Sequence, residues 1–212
     1  MKRLLIVMFW MAATLVAVGQ NQDPKAILDK MSSTYKAMPG YEIGFIQKIM
    51  SEAEVIDRLT GEASVSKDKF RLKFQDQHIY CNGTVLWTYL VEPQELTISN
   101  FEPEEVEINP SNVYDIYKEG FTYVYKRQDV VNGESVHVVE LTSTNEDSDF
   151  TTVVMYIGQK DSYLKAWDLI DYAGAKTSFE VSNFKPNITF PEGFFEFDEE
   201  NNPVQHKEDL RN

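Results

Sequence analysis

Hydrophobic and polar residues alternate along most of this chain. Phe70, Leu72 and Phe74 are separated by single polar residues, and Trp87 and Tyr89 show the same spacing further on. A period of two puts every second side chain on one face of a β-strand, so the pattern predicts strands with one apolar face. The predicted strands cover residues 41–50, 54–66, 69–75, 85–91, 95–99, 121–127, 136–142, 150–158, 163–171 and 176–184.

Two segments show helical spacing instead. Asp23 suits a helix N-cap and Pro24 suits the first helical position, and the helix is expected to end before Pro39-Gly40. A second, short helix is predicted from 111 or 112 to about 118. The element order predicts a mostly β fold of the α+β class. A long antiparallel sheet of this kind curls, and the two helices are expected to cover its concave face.

The N-terminus has the pattern of a cleaved signal peptide. Lys2 and Arg3 precede an apolar run over 4–18, which ends in small residues. The run is about 15 residues long, short of the roughly 20 that a membrane-spanning helix needs. A membrane anchor is the alternative. We therefore predict a signal peptide at 1–19 and a single domain at 20–212.

Composition and charge restrict the possible partners. The chain has 34 acidic and 20 basic residues and a net charge of −14, which disfavours nucleic acid and anionic lipid surfaces. Cys81 is the only cysteine; we predict a structural thiol in a turn before Asn82-Gly83. The acidic tail beyond Phe197 is expected to be mobile.

No motif for catalysis or metal binding is present in the sequence. His78, His137 and His206 lack the spacing of zinc ligands, so we expect no metal, no cofactor and no enzyme. A hydrolase with two carboxylates stays open, because any two strands can bring such a pair together. The abundant aromatic residues either fill the core or line a cavity. A strongly curved sheet encloses more volume than its side chains fill, which favours a container.

Several short motifs follow one another in a characteristic order. They are Phe45-x-Gln47, Gly61-Glu-Ala-Ser-Val-x-Lys-x-x-Phe70-Arg-Leu, Asn82-Gly-x-x-Leu-Trp87-x-Tyr89, Asn109-Pro110 and Phe190-Pro-Glu-Gly193. Their order and spacing resemble the LolA family, the periplasmic carriers that bring lipoproteins to the outer membrane of Gram-negative bacteria. The resemblance covers nearly the whole predicted domain.

The resemblance implies a fold, a location and a set of partners. The fold is an unclosed antiparallel half-barrel whose concave hydrophobic cavity is covered by short helices and takes the acyl chains of a lipoprotein. An ATP-driven inner-membrane transporter loads such a carrier in the periplasm, and an outer-membrane acceptor receives the cargo. A monomer is expected. The alternative is a lipid-binding or signalling regulator of the same fold that does not deliver cargo.

The resemblance also implies particular site residues. The expected acyl-chain contacts are Leu28, Phe45, Ile49, Phe70, Leu72, Phe74, Val113, Ile116 and Tyr117. In the family, an Arg before a Pro bonds the lid shut. Lys67 stands at this place here, and it is the expected lid latch. Because Lys is a point donor without the planar fork of Arg, we expect the latch to differ.

Overall fold

The computed structural model describes residues 22–51, 54–103 and 108–211, and the predicted signal peptide 1–19 lies outside them. Helix α1 covers Pro24–Lys36, and a short 3-10 helix covers Ile116–Lys118. The strands in the described residues are β1 (Tyr41–Ser51), β2 (Glu54–Ser66), β3 (Lys69–Lys73), β4 (Gln77–Cys81), β5 (Val85–Leu90), β6 (Glu95–Asn100), β7 (Phe121–Val131), β8 (Glu134–Ser143), β9 (Thr152–Gly158), β10 (Leu164–Ile170), β11 (Lys176–Pro186) and β12 (His206–Asp209).

The described strands form one sheet that does not close into a barrel. Their order is β12-β6-β5-β4-β3-β2-β1-β11-β10-β9-β8-β7, so β12 and β7 are the edges. Neighbouring strands are antiparallel, except that β12 runs parallel to β6. This arrangement confirms the predicted mostly β fold with an unclosed antiparallel sheet.

Helix α1 begins where the sequence predicts. The Asp23 carboxylate accepts a hydrogen bond from the backbone N–H of Lys25 at 2.9 Å, and Pro24 takes the first helical position. Leu28, Met31 and Tyr35 form the buried face of the helix. This face joins a core cluster on the concave side of the sheet, which includes Val139, Leu141, Val153, Met155 and Ile157.

The second predicted helix is shorter than expected. Residues 110–115 form turns, and only Ile116–Lys118 are helical, in the 3-10 form. Its hydrogen bonds span three residues, as in the bond from Lys118 N to the Asp115 carbonyl at 3.1 Å. The segment still buries Val113, Tyr114 and its neighbours. We refer to α1 and residues 108–118 together as the lid.

The prediction of a turn at Cys81 was wrong. The segment before Asn82 forms strand β4, and Cys81 is its last residue rather than part of a turn. The strand is short and follows a tight turn, in which Phe74 N donates to the Gln77 carbonyl at 2.8 Å. Cys81 is 0% exposed. Burial raises the pKa of its thiol to about 11, which agrees with a structural role.

The C-terminal tail packs on the convex face of the sheet, so the expectation of a mobile tail is wrong. Phe197, the residue before this tail, is buried against Tyr80 and Tyr89, and Val204 of the tail packs against the same cluster. The Tyr89 hydroxyl donates a hydrogen bond to the Pro203 carbonyl at 2.7 Å, and β12 then pairs with β6. The apolar residues within the acidic tail cover the aromatic residues of this face.

Candidate functional site

An apolar cavity of about 390 Å³ lies between the concave face of the sheet and the lid. Its walls come from β1–β4, β10 and β11, and its roof comes from α1 and residues 108–113. The volume falls within the range of roughly 300–1,000 Å³ that is usual for small-molecule sites. It is more than twice the ~150 Å³ apolar cavity that accommodates benzene.

The floor of the cavity is a row of side chains across β1–β4. Ala63 pairs with Ile43 on one side and with Leu72 on the other. Leu72 in turn pairs with Ile79. Paired residues of adjacent strands point to the same face. Because Ala63 is small and lines the cavity, a larger side chain at this position would extend into it.

Aromatic rings form the wall beyond this row. Trp167 and Phe179 are stacked with their centroids 4.8 Å apart. Phe45 lies 6.4 Å from Phe179 and meets Phe74 edge to face at 5.6 Å. Rings in these arrangements hold one another in place, so this wall is a fixed apolar surface.

Gly61 sets the position of the Phe45 ring. A Cβ atom at residue 61 would lie 2.6 Å from Cζ of Phe45 and 3.1 Å from the carbonyl oxygen of Lys73. A side chain at this position would therefore push the Phe45 ring into the cavity. The glycine is needed here because ring and backbone approach each other closely.

Two tyrosine hydroxyls connect the roof to the sheet. Tyr41 of β1 donates a hydrogen bond to the Pro110 carbonyl at 2.9 Å. Tyr35 of α1 accepts one from the backbone N–H of Leu164 at 3.1 Å and stacks on Tyr114 with the centroids 4.9 Å apart. Burial raises the pKa of both Tyr35 and Tyr41. Both hydroxyls therefore stay neutral, and their hydrogen bonds fix the roof to the sheet on this side.

The Tyr41→Phe variant is expected to loosen the roof. It removes the only hydrogen-bond donor of the side chain and leaves the Pro110 carbonyl without its partner. We expect a loss of about 1–2 kcal/mol in the free energy of unfolding. Uptake of a fluorescent apolar probe should become up to about tenfold faster, since 1.4 kcal/mol corresponds to a factor of ten. Denaturant unfolding and stopped-flow fluorescence measure the two effects.

Tyr163→Phe is the matched control. In the described part of the chain the Tyr163 hydroxyl makes no hydrogen bond, while its ring stacks on Phe184 at 4.3 Å. Removing the Tyr163 hydroxyl should leave both the free energy of unfolding and the rate of probe uptake nearly unchanged. If both variants behave alike, the bond between Tyr41 and Pro110 does not hold the roof.

Asp115 joins the two parts of the lid. Its carboxylate accepts a hydrogen bond from Ser32 Oγ of α1 at 2.5 Å. It also lies 2.6 Å from Lys36 Nζ and 2.7 Å from Lys118 Nζ. Burial raises the pKa of Asp115, but the hydrogen bonds from Lys118, Lys36 and Ser32 together outweigh it and lower the pKa below its usual value.

This network predicts a pH-dependent contribution to stability. Because the pKa of Asp115 is lower in the folded than in the unfolded protein, its contribution is present above the unfolded value of about 3.9. It is lost as the pH falls through the folded value. Asp115→Asn should therefore be less stable than the wild type at neutral pH, and the difference should shrink below about pH 4. Denaturant unfolding at several pH values measures the difference in stability. The control is Asp76→Asn, at an exposed carboxylate, for which the difference from the wild type should not depend on pH in this way.

The structure brings four of the residues expected to contact ligand into the cavity lining: Phe45, Leu72, Phe74 and Val113. The others lie elsewhere. Leu28, Phe70, Ile116 and Tyr117 are buried in the core cluster beside the cavity. Ile49 is half-buried further along β1, outside the lining.

Lys67, the expected latch, is exposed at the turn between β2 and β3, where its φ is 56°. In the described ranges its ammonium group makes no hydrogen bond or ion pair. In the same ranges, the hydrogen bonds that join the lid to the sheet are those of Tyr41 and Tyr35.

Other lining residues were not identified from the sequence. Trp167 and Phe179 lie in predicted strands. Phe179 stands between Ser178 and Glu180, and this alternation is the signal that could have found it, whereas Trp167 follows Ala166 and gives no such signal. Ile79 was missed together with β4. Tyr41 adjoins the end of the first helix, where the sequence alone does not show that it contacts the lid.

The described residues contain neither a metal site nor a membrane-spanning helix. Among them, no group of three or more His, Cys, Asp or Glu side chains could hold a metal ion. In the same part of the chain, every helix is too short or too polar to cross a bilayer. The polar groups in the cavity lining are amides and hydroxyls, of Gln47, Gln77 and Asn109 besides the two tyrosines.

Comparisons with known proteins agree with this fold. An uncharacterized conserved protein from Thermus thermophilus has a similar structure, with a TM-score of 0.60 and 13% identity over 90% of this chain and 100% of that one. The MucA/MucB complex of Pseudomonas aeruginosa matches with a TM-score of 0.50 and 11% identity over 82% of this chain and 61% of that one. At these identities only the fold is shared. No curated protein matches the sequence. The family model of LolA, outer membrane lipoprotein carrier protein, matches residues 36–198, so this chain belongs to the LolA family.

Proposed function

We propose that this chain is a periplasmic carrier that binds lipoprotein acyl chains in its cavity and transfers lipoproteins from the inner to the outer membrane. The observation that carries the proposal is the covered apolar cavity of about 390 Å³. Membership of the LolA family supports it. The loading transporter, the outer-membrane acceptor and the periplasmic location belong to the proposal and follow from the family alone.

The energetics of an acyl chain fit such a cavity. Burying a chain is worth about 0.8 kcal/mol per CH₂, so a 16-carbon chain resists exposure to water by roughly 10 kcal/mol. By comparison with the benzene-sized cavity, a volume of 390 Å³ holds on the order of fifteen carbon atoms. The covered cavity therefore fits one chain of this length. A ligand with several chains requires the lid to move away from the sheet.

The polar groups of the cavity fit a lipid that is attached to a head group. Gln47 lies in β1 on the far side of Phe45 from Tyr41, and Gln77 begins β4. In the described residues, neither side-chain amide makes a hydrogen bond. Both are free to bond an ester or amide group of a ligand whose chain lies against Leu72 and Phe45.

A regulator that binds a signalling protein is the second candidate. The observation that favours it is the fold shared with the MucA/MucB complex, at a TM-score of 0.50. Such a regulator keeps an apolar cavity without delivering cargo. The two candidates therefore differ in what happens to lipoproteins when the protein is missing.

Depletion of the protein in its native host tests the proposal. We expect outer-membrane lipoproteins to accumulate at the inner membrane in fractionated cells, and the wild-type gene to restore them. Normal sorting after full depletion would contradict the carrier function. Pull-down from the cell envelope tests the alternative. Inner-membrane transporter subunits support a carrier, and a signalling protein without transporter subunits supports a regulator.

A further inference from the structure

Three basic side chains lie together on the convex face of the sheet, opposite the cavity. Arg71 and Lys73 of β3 alternate with Leu72, which faces the cavity, so both point away from it. His78 of β4 pairs directly with Lys73, and Tyr80 pairs with Arg71. We call Arg71, Lys73 and His78 the basic cluster.

In the described part of the chain, the basic cluster forms no ion pair with an acidic residue. Among the residues described, none of its three side chains makes a hydrogen bond or an ion pair. Nε of Arg71 and Nδ1 of His78 are fully buried, also without a partner. Buried polar groups are nearly always hydrogen-bonded in native proteins. A free anion cannot reach these two covered atoms. The donors open to it are the Nη groups of Arg71 and Nε2 of His78, which are not covered and make no hydrogen bond in the described structure.

Aromatic rings hold the arginine without using its donors. The guanidinium carbon of Arg71 lies 4.9 Å from the ring centroid of Tyr80 and 5.0 Å from that of Phe194. Phe194 belongs to the segment before β12 and stacks on Phe190 at 4.6 Å. Cation–π contacts act through the ring face. The in-plane N–H donors of Arg71, which suit an oxyanion, are thus not used in the described structure.

The neighbouring groups act in both directions on the charges of the cluster. Burial lowers the pKa of Lys73, the charge of Arg71 lowers it further, and Glu62 raises it. Burial and the charges of Lys73 and Arg71 lower the pKa of His78, which favours its neutral imidazole as long as no anion is bound. The acidic residue opposite Lys73 is Glu62 of β2, which is exposed and forms no ion pair with it. Glu196 in the tail accepts a hydrogen bond from Asn82 instead. On β5, His78 faces the ring of Tyr89.

We propose that the basic cluster is a binding site for an oxyanion of the phosphate or sulfate type, with Arg71 as its bidentate donor. Lys73 adds a point charge, and the imidazole of His78 becomes a second donor when it is protonated. A free anion and the phosphate of a lipid head group share this chemistry. The net charge of −14 repels an extended anionic membrane surface more strongly than a single small anion, which favours the free anion.

This site lies on the opposite face of the sheet from the cavity and does not depend on the proposed carrier function. Loss of anion binding therefore leaves the carrier proposal untouched, and failure of that proposal leaves the anion site in place. The two can be tested separately on the same protein.

An NMR titration of the histidines tests the site. The full chain is titrated with pH in sodium chloride and in sodium sulfate at equal ionic strength. We expect sulfate to raise the pKa of His78 by about one unit, as an opposite charge in close contact does. His137 is the internal control. Burial and the charge of Lys30 lower its pKa too, yet it lies in β8, away from the cluster, and should not respond.

Substitutions then locate the effect. Arg71→Gln should abolish the sulfate-dependent rise in the pKa of His78. Lys73→Gln should reduce this rise. Because the Lys73 side chain makes no hydrogen bond in the described structure, this second variant keeps the test valid if Arg71→Gln folds poorly. Arg58→Gln, at an exposed arginine of β2, should leave it intact. A stronger response to vesicles containing phosphatidylglycerol than to sulfate assigns the site to a lipid head group. The proposal is overturned if neither probe changes the pKa of His78. It is also overturned if sulfate raises this pKa in Arg71→Gln and Lys73→Gln as much as in the wild type.

Discussion

Ala63→Phe is expected to abolish binding of an apolar chain while the protein stays folded. Ala63 is 2% exposed and lines the cavity floor between Ile43 and Leu72. The cavity of about 390 Å³ offers room for the new ring, so the substitution fills existing space instead of overpacking the core. By comparison with the benzene-sized cavity, the ring occupies about two fifths of the space.

The size of this effect follows from the apolar surface that the ligand can no longer bury. Excluding about six methylene groups at ~0.8 kcal/mol each removes roughly 5 kcal/mol of binding free energy. This corresponds to a loss of affinity of more than a thousandfold. Fluorescence titration with a fatty-acid analogue measures it, and denaturant unfolding checks that the fold is retained.

Ala173→Phe is the matched control, because it places the same ring on an exposed turn between β10 and β11. It should bind the analogue as the wild type does. If Ala63→Phe binds with unchanged affinity, the ligand does not occupy this cavity. If both variants lose binding, the effect comes from the added ring and not from its position.

Leu28→Ala is expected to give the largest loss of stability. Leu28 is 0% exposed and packs in the core cluster with Met31 and Leu141. Removing a fully buried leucine side chain costs about 2–5 kcal/mol, because the transfer energy is lost and a cavity remains. The free energy of unfolding from urea denaturation measures this effect. Leu210→Ala, at a position that is 53% exposed, should change it by less than about 0.5 kcal/mol.

The same variant tests the role that the sequence assigns to Leu28. If Leu28 is a core residue of the lid, the substitution should lower stability and leave the affinity for an apolar ligand within severalfold of the wild type. If Leu28 contacts the ligand, the substitution should lower the affinity while changing stability little. The second result would contradict its place in the core.

Residues 70–74 show how far alternation alone leads to the site. The period of two correctly puts Phe70, Leu72 and Phe74 on one face of a strand. It does not show how far along that face the cavity extends. Phe70 meets Phe101 edge to face at 5.6 Å and is 4% exposed in the core, whereas the next two line the cavity. Whether a residue on this face lies in the core or lines the cavity depends on residues distant in the chain, and local periodicity carries no information about them.

The tail shows a second limit of the same kind. The acidic composition beyond Phe197 predicted a mobile segment, but Val204 packs against the apolar cluster of the convex face and the strand His206–Asp209 pairs with β6. A few apolar residues suffice when a matching apolar surface is available. That surface consists of Trp87 and its neighbours on the convex face, and it exists only once the strands have paired.

The sequence by itself determined the strand-rich chain, the helix that starts at Asp23, the family and the absence of motifs for catalysis. These features depend on local periodicity, capping and motif order, which act over a few residues. Only the tertiary structure decided which face of each strand borders the cavity and which residues hold the lid. Tyr41 and Pro110, or Ser32 and Asp115, are far apart in sequence, and their contacts arise from the curvature and register of the whole sheet.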